Sequence, residues 1–173
     1  MNELLALSPG QVVLLQSPPQ EYMLALIAAL AVEGPLMVLD ANNQFDAYRV
    51  ARLIRRRTAN LDPVLDRVFV ARAFTCYQVV ALFEQAAPAP MLHVVLDLLA
   101  TFDDESVSLA ESHRLLQHVL GRARLLSRHA PVIITAQPPR ADPRRGLLAA
   151  VAELADHRLL WDAPATPVAA RLF

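Results

Sequence analysis

Residues 91–101, MLHVVLDLLAT, are the stretch whose reading decides the fold. An apolar run leads into Asp97, and the chain then turns toward a polar loop. A short continuous apolar run suits a strand buried on both faces, as in the middle of a parallel sheet. A carboxylate at the carboxyl end of such a strand lies where open α/β sheets bind ligands. The stretch points to a nucleotide-type fold with an acidic residue at the rim of its site.

Working outward, QVVLLQ (11–16) reads as a first buried strand, and LMVLD (36–40), VFVA (68–71) and VIITA (132–136) as further strands. Helical stretches separate them. Ser17 reads as an N-cap, with Pro18 at the first helical position and Gln20 completing a capping box, and the helix runs to about Val32. Gly34 and Pro35 stop it. Residues 46–57 form a helix with an apolar stripe at Val50, Leu53 and Ile54. Another helix covers about 77–87. TFDDESV (101–107) is a polar loop, and Ser108 with Glu111 opens a long helix to about Arg128. Its apolar positions Leu109, Leu116, Leu120 and Ala123 keep helical spacing. A Pro- and Arg-rich loop (137–146), a short helix (147–154) and two strands at the sheet edge (157–161 and 168–173) complete the chain. Strands alternating with helices predict an α/β fold: one domain over 1–173, with a mostly parallel sheet covered by helices on both faces.

Composition narrows the setting. The chain has 173 residues, is 55% hydrophobic and 19% charged, and carries a formal net charge of −1. That is a globular composition with no global drive toward nucleic acid or anionic membrane. The single cysteine, Cys76, has no internal partner, and a reducing cytoplasm is the expected compartment. MNELLALSPG has no basic region or long apolar core, so no secretory signal is expected. The longest helical apolar run, 23–32, is too short to span a bilayer. All 16 basic residues other than histidine are arginines, and only four glycines occur, Gly10, Gly34, Gly121 and Gly146.

The order of features resembles the RecA superfamily core, most closely its RadA-type recombinase branch. Residues 91–96 with Asp97 look like the Walker B strand, with Thr101 at the family's spacing. VARAFTCYQ (70–78) resembles the family's "ARAF…Q" stretch. VIITAQ (132–137) resembles the strand that ends in a polar sensor residue, here Gln137. ADHRLLW (155–161) looks like the strand that follows. The resemblance implies a three-layer RecA-like fold and a DNA-contacting loop after Gln137.

The departures from the family pattern are as informative. Its phosphate loop, G-x-x-x-x-G-K-[ST], is replaced here by Ser17-Pro18-Pro19-Gln20-Glu21-Tyr22-Met23-Leu24. Met23 and Leu24 stand where the lysine and hydroxyl belong. A phosphate cradle aims backbone N–H groups at the anion, and prolines have none to offer. Asn42 stands where the family carries its water-activating glutamate, and an amide is no general base near neutral pH. The resemblance therefore implies a pseudo-ATPase, like the SulA and ImuA types or degenerate recombinase paralogues. No catalytic residue, nucleotide, metal or other cofactor is expected. The implied role is accessory or regulatory in DNA repair or recombination, through a homo-oligomer or a complex with a RecA-like paralogue or repair protein, with DNA as a further partner and no membrane. The alternative is a divergent ATPase built on Asp97 with an unorthodox phosphate site.

Other candidates have simpler readings beside them. Arg140, Arg144 and Arg145 can contact a phosphate backbone, or can be ordinary surface charge. Arg49, Arg52 and Arg56 fall at near-helical spacing, with Arg55 and Arg57 beside them, and read either as a basic stripe or as a solvated helix face with carboxylates nearby. Asp103, Asp104 and Glu105 read as a solvated loop. Arg72 reads as structural, bonding the end of a neighbouring strand. His93 reads as a core histidine, and the remaining histidines lack metal-ligand spacing. Tyr22 and Met23 either plug the old phosphate mouth or face a partner.

Overall fold

In the computed structural model, which describes residues 7–161, six strands lie side by side in one all-parallel sheet. They are β1 (Val12–Gln16), β2 (Leu36–Asp40), β3 (Val68–Arg72), β4 (Leu92–Leu96), β5 (Val132–Ala136) and β6 (His157–Leu160). The spatial order is β3-β2-β4-β5-β1-β6, so the stretch around Asp97 does lie inside the sheet. The expected strand over 168–173 lies outside the described residues.

Strand side chains alternate between faces, so each apolar strand feeds two cores. Val12, Leu14, Leu39, Val95 and Ile134 point into one core. It is roofed by α4 (Cys76–Gln85), α5 (Leu109–Ser127) and α6 (Arg145–Leu154). Val13, Leu15, Val38, Val94, Leu96 and Ile133 point into the other. That side is roofed by α1 (Gln20–Glu33), α2 (Ala47–Arg55) and α3 (Leu61–Leu65). This is the α/β, three-layer layout expected of a RecA-like fold. The cover does not reach the margins: β6 is exposed along its length, and β3 is at best half-buried.

Three local expectations change. Ser17 does not cap α1. Its backbone is left-handed (φ 56°), and the N-cap is Pro19, which has no side-chain hydrogen bond to give. Pro19 is extended (φ −59°, ψ 139°), and it pushes Pro18 before it away from helical backbone, so the helix starts only at Gln20. Ser108 does cap α5, accepting from the Glu111 N–H at 3.2 Å, but the reciprocal half of the box is absent. The Glu111 carboxylate takes Arg114 instead, at 2.7 and 2.8 Å. The loop at 101–107 is not wholly polar, since a 3-10 turn at Ala100–Phe102 buries Phe102 completely. Among the described residues, no helix is long and apolar enough to cross a membrane.

His93 is in the core, as read from the sequence, at 1% exposure, but neither ring nitrogen has a hydrogen-bond partner. Burial lowers its pKa from 6.5, and the nearby Met91 backbone offsets only part of that. The unfolded chain therefore takes up the extra proton first. Stability from this residue is complete above 6.5 and declines as pH falls below it, by up to about 1.4 kcal/mol per pH unit. Urea unfolding across that range should show the decline, and His93→Leu should remove the component.

Candidate functional site at the carboxyl end of the sheet

Two adjacent strands, β2 and β4, end in buried carboxylates, and these arrange the rim. Asp40 Oδ1 accepts from Gln44 N at 2.9 Å and Asn42 N at 3.4 Å, and Oδ2 accepts from Phe45 N at 3.0 Å. The loop between β2 and α2 is thereby wrapped around one side chain. Arg72, beside Asp40 in the β2–β3 register, approaches its Oδ2 at 3.4 Å and donates to the Phe45 carbonyl at 2.9 Å. Its structural reading was right.

The wrapped loop delivers Asn42 to Asp97. Asp97 Oδ2 accepts from Asn42 Nδ2 at 2.7 Å and from Gln44 Nε2 at 3.4 Å, and Oδ1 accepts from Gln137 N at 3.2 Å. Its own N–H donates to Thr135 Oγ1 at 2.7 Å, and its backbone is left-handed (φ 49°). Burial raises the Asp97 pKa above the ordinary carboxylate value; Asn42 and Gln137 oppose the rise, and the charge of Asp40 adds to it.

Asn42, Asp97 and Gln137 thus come together from three different strand ends. The other positions of the degenerate phosphate loop do not join them. Ser17 donates its N–H to the Ala136 carbonyl at 3.0 Å. Met23 and Leu24 are buried in the core beneath α1. Tyr22 packs on Trp161, with ring centroids 4.9 Å apart, so it faces its own chain. Sequence reasoning missed Gln44 and Thr135. Thr135 carried a signal, as the one hydroxyl in an otherwise apolar strand.

A cleft of about 510 Å³ opens above these residues. Its charged walls are Asp97, Asp103, Asp104 and Arg140. Asp103 Oδ2 accepts from Arg140 N at 3.2 Å, while its Oδ1 is buried without a partner. The Ser106 backbone and hydroxyl hold the Asp104 carboxyl below the usual range. Cys76 lies buried in the core away from this cleft, and burial raises its thiol pKa. Among the described residues, no three His, Cys, Asp or Glu side chains gather as a metal site. The cleft's chemistry is that of amides and carboxylates, suited to neutral or cationic polar groups.

The three loop arginines part company. Arg144 is buried, and its guanidinium donates to the Phe102 carbonyl at 2.7 Å, Ser112 Oγ at 2.8 Å and the Val107 carbonyl. It ties the loop after β4 to the loop after β5 and has no face left for a phosphate, which corrects the phosphate-contact reading for this residue. Arg145 is exposed and pairs with Asp142 at 2.7 Å, and Arg140 is exposed at the cleft. No family model matches the chain, and a search of curated proteins found no match.

Arg144→Ala should destabilise the fold by about 3 kcal/mol, since two buried acceptors and a part-buried one lose a charged donor. Arg140→Ala and Arg145→Ala should each cost less than about 0.5 kcal/mol, as exposed changes do. Thermal melts of the three variants make the comparison. Asn42→Ala should cost about 1 kcal/mol and move the Asp97 pKa further upward, read by carboxyl carbon NMR titration.

Proposed function

We propose that this chain is a non-catalytic protein of RecA-like fold that acts as an accessory or regulatory factor in DNA repair or recombination. In this reading it works by binding other proteins, as a homo-oligomer or beside a RecA-like paralogue, with DNA as a further partner. The repair setting rests on the sequence resemblance. The loss of catalysis is supported by one observation above all: the bend leaving β1 offers no anion cradle. Ser17 gives its N–H to the sheet, Pro18 and Pro19 have none, and the chain contains no lysine.

The cleft supports the same reading. Three acidic side chains and one arginine line it, a charge balance unfavourable to a polyphosphate. Asp97 is enclosed by amide donors of its own chain. Asn42, where a water-activating carboxylate would be needed, is one of those donors.

Calorimetric titration with ATP or ADP and magnesium at millimolar nucleotide should give no saturable heat. A clear isotherm would overturn the proposal. ATP turnover above background that disappears in Asp97→Asn would favour the divergent ATPase instead.

A further inference from the structure

On the roof opposite α4–α6, the segment 47–67 holds six arginines and two aspartates, a net charge of +4 in a chain whose total is −1. Arg49 pairs with Glu21 at 2.9 Å. Arg52, Arg55, Arg56, Arg57 and Arg67 are exposed and make no ion pair among the described residues. The nearby carboxylates expected for this helix face therefore do not neutralise it.

Helical spacing organises the charge. Val50 and Ile54 turn into the core, which sends Tyr48, Arg52 and Arg55 (i, i+4, i+7) outward along one face. Tyr48 is 91% exposed, an aromatic ring standing free on the face that carries Arg52 and Arg55. With Arg49, the three residues line a groove of about 530 Å³ between α2 and α3, whose apolar walls are Ala51, Leu61 and Leu65. Asp62 is the single carboxylate among its lining residues.

We propose that this face binds single-stranded nucleic acid, with a base stacked on Tyr48 and phosphates held by Arg52 and Arg55. A free phosphate or an acidic peptide needs the charge but has no use for an exposed ring. A single strand needs both: guanidinium groups track its backbone, and an aromatic face takes a base whatever its identity. A duplex keeps its bases stacked and would leave Tyr48 idle. The inference does not depend on the state of the Asp97 cleft, and it stands whether or not nucleotide binds there.

Fluorescence anisotropy with labelled oligothymidylate of roughly 20 nucleotides tests it, and an oligouridylate arm separates DNA from RNA preference. Binding should weaken steeply between about 50 and 200 mM salt. Arg52→Gln with Arg55→Gln should lower affinity at least ~10-fold and flatten the log–log salt slope by about 1.4, roughly 0.7 for each phosphate contact. Tyr48→Ala should lower affinity roughly 5- to 100-fold with the slope unchanged. All three side chains are outside the core, so the variants should melt as the parent does.

Absence of binding to both oligonucleotides overturns the proposal. So does parental affinity in the double arginine variant, or loss confined to Arg140→Gln with Arg145→Gln, which would put the strand on the other loop. Binding to phosphatidylserine vesicles without binding to either oligonucleotide would assign the face to membrane and refute it equally.

Discussion

The rim of this protein depends on two carboxylates taken out of water at the ends of neighbouring strands. Each has to be compensated, because an uncompensated buried charge costs several kcal/mol. Asp40 is met by three backbone N–H groups and Arg72. Asp97 is met by amides alone. Hydrogen bonds to a charged group are worth about 1.5–3 kcal/mol each. For Asp97 the desolvation still dominates, as its raised pKa records. The two sites are in series: Asp40 folds the loop that brings Asn42 and Gln44 to Asp97, so two of the three donors to Asp97 depend on the first network, while Gln137 comes from the end of β5.

Much of this was legible in the sequence, for reasons that differ from one residue to the next. The strands were visible because a sheet buried on both faces demands unbroken apolar runs, and prolines and glycines punctuate them. Asp97 was visible because a carboxylate ending such a run has few places to be. Ser17 misled, since its spacing to Gln20 matches a capping box. The signal that should have overruled it was the pair of prolines between them, which forbids the helical approach such a box requires.

The loop arginines mark a different boundary. A sequence counts guanidinium groups but gives no direction for them. Arg144 and Arg145 are neighbours in a Pro-rich stretch, yet one is a buried tie between two loops and the other is solvated. The 3-10 turn at Asp142–Arg144 separates their directions; Asp142-Pro143 announces a turn, but not which arginine it turns inward. The arginines of α2 show the converse. Helical period fixed which of them face outward, but whether carboxylates met them depended on neighbours distant in sequence. Gln44 was hidden for the same reason, being a common loop residue until Asp40 curls the backbone beneath it.

Among the described residues, three other than glycine hold left-handed backbone: Ser17 and Asp97, each directly after its strand (β1 and β4), and Asn43 in the loop that follows β2. None of the four glycines is at these bends. Such a conformation costs Ser17 roughly 1–2 kcal/mol and Asn43 and Asp97 less, since short polar side chains tolerate it. Two of the bends are fastened by bonds, Ser17 through its N–H to the Ala136 carbonyl and Asp97 through its N–H and carboxylate. A visitor to the sheet's mouth meets walls already in position there, and little of its binding energy is lost in ordering them.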